Sequence, residues 1–197
     1  MAKKKTPSRK KKAATKKSPP KKASFDLKAY WQSKSPILRF FLIWAGLTAI
    51  FYVIWYTDFF KGNVIEPWNQ LNAWVGAGLL SLMGQGTSSL ETVISGPGAS
   101  INIKEGCDAI EPTILFIFGV LAFPAFWKFK LKGILYGTLF LLGVNFFRII
   151  TLYFSAKYWP AGFEFMHIEF WQVLYVLLAI GAWGYWLYKS IQKENEN

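Results

Sequence analysis

Four long apolar runs alternate with short polar connections along the chain, beginning at Ile37, Ala109, Leu131 and Ile168 and ending at Tyr56, Trp127, Phe154 and Tyr188. Each is about as long as the 20 residues that a helix needs to cross the hydrocarbon of a bilayer, so each predicts a transmembrane helix. A fifth run, "WNQLNAWVGAGLLSLMG" from Trp68, is shorter and more polar. Between it and the second long run the period changes to two. Leu90, Thr92 and Ile94 alternate with Ser89, Glu91 and Val93, and Ala99, Ile101 and Ile103 alternate with Ser100, Asn102 and Lys104. Gly96-Pro97-Gly98 separates the two stretches, which predicts a β-hairpin. The pattern as a whole predicts an all-α integral membrane bundle of about four to five transmembrane helices with a small outward β-hairpin.

Charge orients this bundle. Of the 23 Lys and Arg, 14 lie at or before Arg39, three (Lys128, Lys130, Lys132) lie between the second and third long runs, and Lys189 and Lys193 follow the last. Four crossings put all 19 on the side of the two termini, and the positive-inside rule makes that side cytoplasmic. A fifth crossing would invert the later helices and put the three-lysine turn outside. Residues 68–84 are therefore expected to form an amphipathic or re-entrant helix on the outer face.

The first 22 residues contain eleven of the basic residues and no acid. Lys, Pro, Ser and Thr bury too little surface to offset ordering entropy, so residues 1–34 read as a disordered cytoplasmic tail. About fifteen residues separate this basic stretch from the first apolar run, which argues against a signal peptide. The tail suits anionic membrane lipid. Nucleic acid is disfavoured as a partner, because no aromatics are interleaved with the lysines and no folded basic face is evident. Residues 35–190 read as the membrane-embedded domain and 191–197 as a short cytoplasmic tail.

Polar residues inside or beside the apolar runs then narrow the chemistry. Cys107 is the sole cysteine and His167 the sole histidine. No intrachain disulfide can form, and a structural zinc site, which needs about four N or S ligands, is disfavoured. Cys107 lies between Glu105 and Asp108, with Glu111 four residues on, and is expected in the N-terminal turn of the second helix. There the helix dipole favours a thiolate while the two neighbouring carboxylates oppose it. Counting from the turn near Phe129, Cys107 is 22 residues back and Arg148 is 19 ahead, a depth difference of about 4.5 Å. An arginine within a membrane helix is costly and marks a functional site by default. Asn145 shares its face one turn earlier and is positioned to hold the guanidinium, and Glu111 is positioned to pair with Arg148 or Lys104. His167 starts the last crossing on the same outer side. A thiol, a histidine and an arginine at one depth make up a cysteine-nucleophile site, in which His accepts the thiol proton and Arg faces an oxyanion or orients the substrate. Gly133 and Gly137 form a small-xxx-small pair suited to close helix packing.

The motifs "EGCDAIEP", "NFFRI" and "MHIEF", in that order and spacing, resemble the Cys, Arg and His motifs of the exosortase and archaeosortase family of integral-membrane cysteine transpeptidases, over about residues 37–189. The resemblance implies an enzyme of the cell membrane with its site on the outer face, needing no cofactor. It implies cleavage of a C-terminal sorting signal (a short motif, a membrane helix and a basic tail) on exported proteins, through a thioester on Cys107, followed by transfer to an acceptor nucleophile. Carried over by motif, Cys107 is the nucleophile, His167 the proton-transfer group and Arg148 the transition-state or substrate-binding residue. Asn145, Glu111, Asp108 and Glu105 are supporting or substrate-binding candidates. The chain departs from the family pattern in following its cysteine with Asp108 and Ala109, where many members have a small polar residue and a glycine, and its length matches a compact subtype. A competing reading is a non-enzymatic membrane adaptor in which Arg148, Glu111 and His167 form buried pairs. Serine and aspartyl intramembrane proteases are disfavoured, because the chain has neither G-x-S-G nor a pair of intramembrane aspartates.

Overall fold

The computed structural model describes residues 35–195, so the Lys-rich tail and its expected disorder lie outside the described residues. Helix α1 spans Pro36–Trp55; Ser35 caps it by accepting from the Leu38 amide, and Pro36 occupies the first turn, where no intrahelical N–H is needed. A helical turn, Asp58–Phe60, and a π-helical stretch, Lys61–Ile65, lead into α2, Glu66–Leu82. Three short strands follow: β1 (Ser88–Leu90), β2 (Val93–Gly96) and β3 (Ala99–Asn102). Helix α3 spans Ile110–Ala122, α4 spans Trp127–Tyr158, and α5 spans Trp171–Asn195 after a π-helical stretch, Phe165–Phe170.

Among the described residues three helical stretches are long and apolar enough to cross a membrane, Pro36–Trp55, Trp127–Tyr158 and Pro160–Lys193; α3 is a shorter apolar helix. Many of their large apolar side chains are exposed, Val53 and Ile37 at 74% and 70% among them, as lipid-facing residues must be in a bundle with no other solvent. The second apolar run therefore yields less helix than its length promised. Its 13 helical residues rise about 20 Å, against roughly 30 Å of hydrocarbon. Pro124 is the cause: it drives Phe123 to an extended backbone (ψ 136°) and ends the helix. Helix α4 runs longer than its apolar core, with 32 residues and a rise of about 48 Å.

The hairpin is a three-stranded antiparallel meander, β1-β2-β3. Gly96 pairs with Ala99, so the turn expected over Gly96-Pro97-Gly98 is the two residues Pro97-Gly98, with Gly96 ending β2. The alternating run around Leu90–Ile94 is, however, two strands, because Leu90 pairs with Val93 and the chain reverses at Glu91-Thr92. Glu91 adopts a left-handed backbone there (φ 52°), which alternation alone does not signal.

Two cores share α4. Ala73, Ala77 and Leu80 of α2 and Ile94 and Ile101 of the sheet pack on Ile149, Leu152 and Tyr153, at the C-terminal end of α4. Phe116 and Val120 of α3 pack with Leu141 of α4 and Tyr175 and Trp186 of α5 further toward the other end. Gly133 and Gly137 permit this second core. A Cβ on Gly133 would collide with the Trp186 indole, and one on Gly137 with the Phe116 ring. Helix α1 joins through Phe51 and Trp55, against Ile65 and the partly buried Ile114 and Phe118 of α3.

Candidate active site

Cys107 lies just ahead of α3, outside its first turn, where the sequence reading had placed it. Gly106 (φ 88°) and Ala109 (φ 62°) both hold left-handed backbone and bracket Cys107-Asp108, so the helix cannot begin before Ile110. The Cys107 amide donates to the Lys104 carbonyl (2.9 Å), closing the turn. Asp108 uses Oδ1 to accept the Ile110 amide (3.1 Å), so the positive end of α3 is met by this carboxylate.

The thiol meets the imidazole directly: Cys107 Sγ and His167 Nε2 are 2.8 Å apart. His167 sits in the π-helical stretch before α5, and its ring stacks on Phe163 at a centroid distance of 5.7 Å. Arg148, 5% exposed, reaches from α4 to both segments. Its Nη1 donates to the Gly106 carbonyl (2.6 Å) and its Nη2 to the His167 carbonyl (3.4 Å). One guanidinium thereby ties the backbone beside the thiol to the backbone of the histidine. Three of its five N–H donors remain beyond these two bonds, and Nε is buried with no partner.

Two of the sequence expectations are revised by the hydrogen bonds. Asn145, fully buried, donates to Asn72 Oδ1 of α2 (3.2 Å) and so joins α4 to α2, where it had been expected to hold the guanidinium. Glu111 accepts from the Tyr52 hydroxyl of α1 in place of Arg148 or Lys104; with Cys107 outside the helix, the four-residue spacing puts the two on no common face. Glu105 pairs with Lys61 (3.6 Å) in a half-exposed contact of the sort that contributes little.

Two residues of α2, Trp68 and Asn72, that were not among the expected site residues belong to this end of the bundle. Asn72 is 1% exposed and donates to the Trp68 carbonyl (2.9 Å), while Trp68 Nε1 donates to the Asp108 carbonyl (2.9 Å). A chain of hydrogen bonds therefore runs from Asn145, one turn before Arg148, through α2 to the residue after the thiol. The signal for it was the density of Asn and Trp on a helix that otherwise reads as apolar.

Burial sets the resting charge state. Removal from water pushes the Cys107 thiol above its ordinary range; the Arg148 charge pulls it back and Asp108 pushes it further up. Burial likewise raises the Asp108 carboxyl to about 6, against the lowering effect of its backbone hydrogen bonds. A neutral thiol can donate to Nε2, leaving the imidazole placed to receive its proton. Among the described residues no group of three or more His, Cys, Asp or Glu could hold a metal ion.

Fold and geometry together describe a multi-pass membrane protein with a thiol–imidazole pair at one end of its bundle. A family model for transmembrane exosortases (Exosortase_EpsH) matches residues 32–187, and the chain belongs to that family. Membership carries a membrane protein-sorting role as a cysteine transpeptidase. No curated protein and no solved structure matches the chain.

Proposed function

We propose that this protein cleaves the C-terminal sorting signals of exported proteins through Cys107 and transfers the released chain to an acceptor. The carrying observation is the 2.8 Å approach of Cys107 Sγ to His167 Nε2, with Arg148 spanning both segments. Sγ attacks the scissile carbonyl as Nε2 takes its proton. The same proton then goes to the departing amine, which leaves with the membrane helix and basic tail of the signal, and the exported portion stays as a thioester on Cys107. An acceptor nucleophile, or water, attacks that thioester and restores the thiol. The unused N–H donors of Arg148 suit the oxyanion that forms in each step. Asp108 orders the loop by capping α3. Charge bias along the chain favours cytoplasmic termini, with the thiol at the outer face of the cell membrane.

The adaptor reading requires Arg148, Glu111 and His167 to be one another's buried partners. Glu111 is held by Tyr52 instead, and Arg148 by two carbonyls, which favours the enzyme.

The test is co-expression with an exported reporter bearing a motif, a membrane helix and a basic cluster at its C-terminus. Loss of the tail with the wild type, absent with Cys107→Ala and His167→Ala at equal protein levels, is the expected result. The mass of the new C-terminus distinguishes transfer from hydrolysis. Equal processing by wild type and Cys107→Ala would overturn the proposal.

A further inference from the structure

The end of the bundle remote from the thiol carries a cavity that the sorting chemistry does not use. Between α4 and α5 lies a groove of about 550 Å³, within the usual size of a ligand site. Its walls are apolar, formed chiefly by Phe129, Tyr136, Phe140 and Tyr185, and Lys132 and Lys189 also line it. Lys132 also lines a neighbouring cavity of about 230 Å³, together with Lys128 and Lys193. An apolar slot thus opens onto Lys128, Lys132 and Lys189, and no acidic residue lines either cavity among the described residues. Lys132 is sixteen residues from Arg148 on the same helix, about 24 Å along its axis.

From this pairing of slot and charge we infer that the α4–α5 groove is a specific site for one anionic phospholipid, its acyl chain lying against Tyr136, Phe140 and Tyr185 and its phosphate held by Lys132 and Lys189. Charge complementarity selects this occupant over the alternatives. A second copy meeting the groove about a two-fold axis would set lysines against lysines, and a helix ending in a basic tail would bring further positive charge to the same lysines. A zwitterionic lipid would fill the slot but bring no net counter-charge to Lys132 and Lys189. The lysines mark this end as the cytoplasmic one, where the leaflet is rich in anionic headgroups and long basic side chains reach out from apolar surface to meet them. The site is separate from the expected attraction of the N-terminal tail for the same leaflet, and it holds whether or not the sorting reaction is as proposed.

The experiment uses the full chain, tail intact, in bilayers of equal phosphatidylglycerol and phosphatidylcholine, with native mass spectrometry reading the lipid retained after release. Phosphatidylglycerol adducts should dominate for the wild type. Lys132→Gln with Lys189→Gln should lower their retention by about 25-fold, about fivefold for each lysine. Lys61→Gln with Lys157→Gln, which leaves the tail and the groove untouched, should stay near wild type. Retention of phosphatidylglycerol by the groove variant at the wild-type level, or equal retention of phosphatidylcholine by the wild type, would overturn the site. Since neutralising two lysines could disturb folding, a photo-crosslinking residue at Tyr136 in the otherwise unaltered chain gives a second reading. An adduct with the mass of one phosphatidylglycerol supports the site; a protein-sized adduct, or none, overturns it.

Discussion

Replacing Arg148 with methionine should expose the thiol, and by an amount that follows from the two bonds lost. The 2.6 Å contact to Gly106 is a strong charged hydrogen bond, and the 3.4 Å contact to His167 is near the limit of one. Hydrogen bonds to charged groups contribute about 1.5–3 kcal/mol, so the loop should open more readily by a factor of roughly 10 to 150. Cys107 is only 3% exposed, and a thiol reagent must wait for that opening. The chain has a single cysteine, so every alkylation event reports on this residue. The assay is a timed pulse of N-ethylmaleimide on wild type and Arg148→Met in membranes, with unreacted thiol counted after denaturation. Arg148→Lys, which keeps a charge but can span only one carbonyl well, should fall between the two. The sign is the decisive feature. If Arg148 acted only as a nearby charge, its removal would push the thiol further up, leave less thiolate, and slow alkylation. A slower or unchanged rate in Arg148→Met would refute the tie between the two segments.

Asp108 supplies a pH signature. Its carboxyl moves from an ordinary 3.8 to about 6 on folding, so the folded chain holds the proton more tightly and stability falls as pH rises between those values. Asp108→Asn should be more thermostable than wild type at pH 7.5, by on the order of 3 kcal/mol at most, with the gap closing near pH 4; scanning fluorimetry in detergent checks both ends. Ala109 is strained at φ 62° and buried. Ala109→Gly should stay within about 1 kcal/mol of wild type, because released strain of about 1–2 kcal/mol offsets a buried methyl's roughly 0.8 kcal/mol, whereas Ala109→Val should unfold at clearly lower temperature. Gly96→Ala would drive a Cβ into the Tyr153 hydroxyl and to 2.6 Å from Thr87 Cγ2. It should cost about 1–3 kcal/mol, while Gly78→Ala, with nothing within 4 Å, should cost nothing measurable in the same melt.

Helix existence and the convergence of distant polar residues were legible in the sequence because both follow from length and rise. Twenty apolar residues make a span, and counts of 22 and 19 from the turn near Phe129 bring Cys107 and Arg148 to nearly one depth. Local backbone was much less legible. Nothing in the pattern around Cys107 announces that Ala109 takes a left-handed conformation, and that single residue removes the thiol from the helix and voids any argument from helical spacing to Glu111. The family pattern offered a partial signal: where many members carry glycine two residues after the cysteine, this chain carries alanine in the very backbone that suits glycine. At α2 the expected amphipathic or re-entrant helix gave no sign that Asn69 and Asn72 would be buried, at 6% and 1% exposed. Asn72 is met by Asn145 of α4, and composition says nothing of that partner.

The loop that carries the thiol explains why so many polar side chains gather at this end of the bundle. A helix satisfies its own carbonyls, but the irregular backbone of residues 104–109 does not, and beside an apolar phase each unmet carbonyl is costly. The Lys104 carbonyl is met by the Cys107 amide, that of Gly106 by Arg148, that of Asp108 by Trp68, and that of Ala109 by the Thr113 amide. Two of these donors are side chains from α4 and α2, and the α4 donor also holds the histidine segment. The groups that make a non-helical thiol tolerable are thus the groups that hold it against His167. Replacing them with apolar residues would leave the Gly106 and Asp108 carbonyls unmet and free the loop from its place against the imidazole. On this reasoning the buried arginine is retained for the geometry of the loop, and its effect on the charge of the thiol is the smaller part of its work.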